Sequence, residues 1–189
     1  GIINIYDTAN GQFIKTIDCD DWANLNYCKW IDDRTLIAKG WNVYCINMND
    51  STLTEKNIGS YDKMIITEQN VCYTPWRQDS ILVIQPITNG QFIEPDTIHN
   101  QGVGISSICT YNGNILIGSS DGTVKMYNLQ SKNISLLYNA NSEIQAIGSN
   151  DSIIAFSTRD SLYIMRLNGD HDIKHHDIKY INSIHLSKI

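Results

Sequence analysis

Ser119-Ser120-Asp121-Gly122-Thr123-Val124-Lys125-Met126-Tyr127-Asn128 decides how the rest of the chain is read. Asp121-Gly122 is a turn, because Asp can bond its own backbone and Gly tolerates positive φ. Asn114-Ile115-Leu116-Ile117-Gly118 runs into it with apolar and small residues. Thr123-Val124-Lys125-Met126-Tyr127 runs out of it with the β-branched and aromatic residues that suit a pleated strand. The stretch is a β-hairpin, the strongest in the sequence.

The outgoing strand has counterparts in Ile2-Ile3-Asn4-Ile5-Tyr6, Asn42-Val43-Tyr44-Cys45-Ile46, Ser80-Ile81-Leu82-Val83-Ile84-Gln85 and Ser161-Leu162-Tyr163-Ile164-Met165-Arg166. The five end at residues 6, 46, 85, 127 and 166, with separations of 40, 39, 42 and 39. A period of ~40–45 residues with about four strands per repeat marks a β-propeller blade. A sandwich also has short strands at regular intervals but needs no such period. No amphipathic helix is required anywhere. The expected class is therefore all-β, in blades of four antiparallel strands, about four of them complete, with partial blades at both ends. The partial first blade covers residues 1–17, and complete blades follow at about 24–59, 62–99, 104–139 and 143–179. In the 62–99 blade the fourth strand is placed at residues 91–94, and residues 181–186 open a last partial blade over 181–189. This reads as a segment of a longer propeller. The competing reading is a five-bladed ring closed by the two partial blades, which would lack one strand.

With 189 residues, 42% hydrophobic and 18% charged, the chain has the composition of one soluble globular unit. No apolar run approaches the ~18 residues of a membrane helix, and nothing near the first residue resembles a signal peptide. The five cysteines are odd in number and none stands in a Cys-x-x-Cys pair. That predicts free thiols in an intracellular, reducing compartment and argues against a zinc site. A net charge of −6 opposes binding to nucleic acid or to an anionic membrane.

The hairpin and its period resemble the WD-repeat family of β-propellers. In that family a blade is often locked by hydrogen bonds joining a His before the first strand, a Ser or Thr in the second, an Asp in the following turn and a Trp in the third. Carried over, the resemblance implies a network of His99, Ser119, Asp121 and Tyr127 in the 104–139 blade, with Tyr in place of Trp. The next blade keeps Thr158 and Asp160 but has Arg166 at the aromatic position, the preceding one keeps only Asp79, and the 24–59 blade keeps none.

Candidates for chemistry are few. His171 and His175 would share one face of a strand by alternation, as a surface metal site requires, although a polar outermost strand explains them as well. Asp20 with Asp21, or Asp32 with Asp33, are neighbours in sequence and point apart on a strand or sit in solvated turns. No Ser-His-Asp spacing forms a nucleophile elbow, and Gly102-Val103-Gly104 precedes no helix that could hold a phosphate. Neither a catalytic residue nor a metal, cofactor or small-molecule substrate is expected.

The tryptophans carry more information. In an antiparallel four-stranded blade, the turn between the second and third strands emerges at the same end as the link into the blade. Trp22 falls in such a link, and Trp41 and Trp76 fall in two such turns, with Arg77 beside the last. Trp and Arg dominate binding hot spots, so these four residues are the candidate partner-binding set, against the alternative that the indoles fill gaps between blades. Trp30, inside a first strand, is expected in the core. The function expected is a non-catalytic scaffold docking protein partners, as part of a larger complex. The alternative is a propeller-fold enzyme with carboxylates or a metal at the channel end.

Overall fold

The computed structural model describes residues 1–19, 24–59, 61–166, 173–176, 181 and 183–186. Among them every regular element is a strand, all paired antiparallel, so the chain is all-β. No helix of the described residues is long and apolar enough to cross a membrane.

The strands form separate sheets in chain order. β1 (Ile2–Tyr6) and β2 (Phe13–Asp18) make a two-stranded sheet. β3 (Tyr27–Trp30), β4 (Thr35–Lys39), β5 (Val43–Asn47) and β6 (Leu53–Lys56) make a four-stranded one. β7 (Tyr61–Ile66), β8 (Asn70–Pro75) and β9 (Ile81–Thr88) continue the pattern, with β10 (Gln91–Phe92) and β11 (Asp96–His99) both paired to β9. Two four-stranded sheets follow. The first holds β12 (Ile105–Tyr111), β13 (Asn114–Ser119), β14 (Thr123–Tyr127) and β15 (Ile134–Asn139). The second holds β16 (Ala146–Ser149), β17 (Ile153–Ser157), β18 (Ser161–Arg166) and β19 (Ile173–His176).

The hairpin of the opening stretch forms as read. The Gly122 amide donates to the Ser119 carbonyl at 3.1 Å, Gly122 takes φ +88°, and Gly118 pairs with Val124. The fourth strand expected at residues 91–94 forms only over Gln91 and Phe92, and a second strand, Asp96–His99, shares its place beside β9. Asn89-Gly90, both at positive φ, is a two-residue turn that folds Gln91 and Phe92 back onto the end of β9. That geometry belongs to tight hairpins and suits Asn-Gly. The Gln85 side-chain amide pins the extension by donating to the Ile93 carbonyl. After Pro95 the chain returns, and Asp96–His99 pairs along the other half of β9. Residue 181 and residues 183–186, expected as a strand, lie outside any strand, although the Ser157 hydroxyl donates to the Ile181 carbonyl at 3.3 Å.

Consecutive sheets pack face to face. Ile17 and Cys19 meet Leu36, Ala38, Tyr44 and Ile46 of β4 and β5. The opposite face of those strands, Ile37, Val43 and Cys45, meets Val71, Tyr73 and Ile87. Cys72, Leu82 and Ile84 then meet Ile115, Ile117 and Tyr127. Leu116 and Val124 look the other way, onto Ile147, Ile154, Phe156 and Tyr163. Because side chains alternate along a strand, a sheet covered on both faces needs an unbroken apolar run. The second strands supply it: Thr35–Ala38, Val71–Thr74, Ile115–Ser119 and Ile154–Ser157 are buried at every position. The fourth strands β6 and β15 have no buried position.

First strands of neighbouring sheets also touch at one repeat's spacing. The Ile147 amide donates to the Ser107 hydroxyl at 3.2 Å, and the Ser149 hydroxyl donates to the Thr110 carbonyl. Further back, Lys29 Nζ donates to the Ile66 carbonyl at 2.9 Å.

Candidate functional site

The network implied around Ser119 is built from other residues. Ser119 is fully buried, and its hydroxyl accepts from Asn100 Nδ2 at 3.1 Å. The same Asn100 amide donates to the Val103 carbonyl at 3.0 Å, while Asn100 Oδ1 accepts from Lys125 Nζ at 2.7 Å. His99 is exposed, paired in register with Ile81 at the end of β11. The correction is one of alternation: successive residues point to opposite sides, so the position after His99 enters the interior.

Asp121 and Tyr127 are not part of that cluster. The Asp121 carboxylate accepts from the Thr123 amide at 3.0 Å and the Thr123 hydroxyl at 2.6 Å, closing its own turn. Partial desolvation disfavours its charged form, but those two bonds and the Lys125 charge outweigh it, so the carboxyl titrates below its ordinary value. Tyr127 lies at the far end of β14, beside Asp96. Lys132 pairs with the Asp96 carboxylate at 2.8 Å and, with a 3.0 Å bond from the Thr97 amide, holds it low. Asp79, exposed in its turn, brings its carboxylate against Gly104, where an added Cβ would lie 2.9 Å from Oδ2.

The indole turns are exposed. Trp41 stands in the turn between β4 and β5, held by a 2.9 Å bond from the Gly40 amide to the Asn42 carbonyl, and is 69% exposed. Trp76 stands in the turn between β8 and β9 and is 55% exposed. Arg77 beside it takes φ +60°, and the Gln78 amide closes the turn on the Pro75 carbonyl at 3.0 Å. The two turns occupy the same place in consecutive sheets that pack on each other through Ile37, Val43, Val71 and Tyr73. Trp22, with Asp20 and Asp21, lies outside the described residues. Trp30 corrects the core expectation: at the last position of β3, where the strand gives way to the Asp32-Asp33 turn, its ring is 48% exposed.

Thiol chemistry has no activated centre at Cys45, Cys72 or Cys109. Burial pushes Cys72 and Cys109 up to about 12, and burial with the Asp32 charge pushes Cys45 up to about 11. All three stay protonated and act as small apolar side chains. His171 lies outside the described residues, and so does the side chain of His175. Among the described residues no three of His, Cys, Asp and Glu gather closely enough to hold a metal ion.

No protein-family model and no curated protein matches this chain. Among solved structures it is similar to the crystal structure of the computationally designed Ika8 protein, with a TM-score of 0.67 at 13% identity. The match covers 100% of this chain and 60% of that one, so the chain spans about three fifths of the designed protein's length. At that identity the likeness is one of fold.

Proposed function

We propose that the successive sheets are blades of a WD-repeat-like β-propeller segment and that the chain is a non-catalytic scaffold docking protein partners within a larger intracellular complex. The blade reading is supported by face-to-face packing of consecutive sheets and by first strands that meet one repeat apart at Ser107 and Ile147. The docking reading rests on one observation. Trp41 and Trp76, at equivalent turns of neighbouring sheets, hold their rings in solvent where apolar burial would be available only to a partner.

An exposed indole is costly to solvate, and on binding it buries a large rigid area at low entropic cost. Arg77 adds a forked donor set next to Trp76. The partner surface that fits is an apolar pocket or side-chain cluster flanked by acceptors.

Trp41→Ala and Trp76→Ala are the test. Affinity capture from a cell extract, quantified by mass spectrometry, is expected to lose the same partner with both variants. Each should weaken capture by ~2 kcal/mol, about 30-fold, with denaturation midpoints unchanged because neither ring is in the core. Capture equal to that of the unmodified chain overturns the docking reading. A stability loss of ~3–5 kcal/mol would instead mark the rings as packing elements.

A further inference from the structure

The end of the sheets opposite the indole turns carries a cleft of about 860 Å3. Its walls are turns joining first to second strands in three consecutive sheets, at residues 67–70, 110–113 and 149–151. Antiparallel strands reverse direction at each turn, so these turns lie at the end away from Trp41 and Trp76. Ile84, Pro86, Tyr127, Leu129 and Leu186 give the cleft apolar and aromatic surface. Glu68, Glu94, Asp96 and Asp151 set four carboxylates around it, against the two ammonium groups of Lys29 and Lys132.

Both ammonium groups are engaged within the molecule. Lys29 bonds the Ile66 carbonyl at 2.9 Å, and Lys132 pairs with Asp96 at 2.8 Å, which engages that carboxylate as well. Glu68 and Glu94 are exposed. The corresponding turn of the preceding sheet forms a notch of its own, lined by Trp30, Ile31, Asp32 and Asp33.

We infer that this cleft holds an extended polypeptide segment carrying lysine or arginine. Such side chains have a long apolar stem and a cationic tip, which matches an apolar floor under a carboxylate rim. The volume falls in the ~300–1,000 Å3 range of ligand sites. Nucleic acids and other anions meet the wrong sign of charge. A single metal ion fits poorly, because among the described residues the acidic groups do not converge to a coordinating set. Spaced carboxylates suit spaced cations along a chain. The inference rests on the docking-scaffold reading for its polypeptide occupant, but it uses neither Trp41 nor Trp76.

The probe is a fluorescent peptide of sequence Lys-Leu-Lys-Ala-Arg-Leu-Lys, compared with the same peptide bearing Gln at every cationic position. Fluorescence anisotropy should show the basic peptide binding and the Gln peptide not binding. Glu68→Gln combined with Glu94→Gln should weaken binding about 10-fold or more, whereas Trp41→Ala should leave it unchanged. Both glutamates are exposed, so the variant keeps the native fold. The inference is overturned if the unmodified chain does not bind the peptide. It is also overturned if the glutamate variant binds equally well, which would assign the attraction to the overall charge. Displacement by spermine as effective as by unlabelled peptide would assign the cleft to a small polyamine instead. If the peptide fails while the tryptophan variants still lose their partner, the cleft falls and the scaffold reading stands. The converse result separates them the other way.

Discussion

At Asn100 three bonds meet where only 2% of the residue reaches solvent: its amide serves Val103 and Ser119, and its oxygen receives Lys125. Removing that side chain leaves the buried Ser119 hydroxyl without this donor and the Lys125 ammonium without this acceptor. Asn100→Ala is expected to cost ~1–3 kcal/mol, read from urea denaturation midpoints. His99→Ala, one residue earlier and exposed, should stay within ~0.5 kcal/mol. Equal losses for the two would return the network to the histidine. The sequence could place a polar partner for Ser119 near this point but not choose between neighbours. A shift of one residue turns every side chain to the other face, and only the pairing of His99 with Ile81 fixes which one enters. Trp30 was misread for a related reason. Its apolar ring favours a core on average, but its place at the last residue of β3, against the turn, leaves it in solvent.

Whole strands were more legible than single side chains, because a strand buried on both faces writes itself as an unbroken apolar run. Ile115-Leu116-Ile117 and Leu36-Ile37-Ala38 are such runs, and each is covered by a sheet on either side. The strand Asp96–His99 escaped, since the repeat pattern placed the fourth strand at residues 91–94, of which only Gln91 and Phe92 pair with β9 after the Asn89-Gly90 turn. Turn glycines separate backbone conformation from crowding. Gly113 takes φ +72° with nothing within 4 Å of an added Cβ, so Gly113→Ala should cost only the left-handed penalty of ~1–2 kcal/mol. Gly122, at φ +88°, would place a Cβ 2.6 Å from the Ser142 nitrogen and 2.8 Å from its oxygen. Those are backbone atoms that cannot swing aside, so Gly122→Ala should lose a further ~1–3 kcal/mol. Thermal unfolding of the two variants side by side checks the difference, and matching melting temperatures would mean the link at Ser142 yields.

Over the whole molecule, aspartates in several sheets titrate below their ordinary value. The Arg34 amide holds Asp32 down, the Thr52 amide holds Asp50 down, and Lys132 holds Asp96 down. Asp121 is lowered by its bonds to Thr123. A carboxyl that is more acidic folded than unfolded stabilises the fold fully above its ordinary value of 3.8, and the benefit is lost as pH falls through the lowered one. Denaturation midpoints should therefore be flat down to about pH 5 and fall between about pH 4 and about pH 2. The fall should be smaller in Asp96→Asn, which has one linked proton fewer. A midpoint rising toward acid would contradict the sign. Each core cluster draws on two consecutive sheets and no more, from Ile17 against Leu36 to Leu116 against Phe156. Among the described residues, mechanical load would therefore find no core cluster tying distant sheets together. A pull on the two ends would peel the stack sheet by sheet, each release paying out one repeat of chain, ~130 Å at full extension, in a staircase rather than a single rupture.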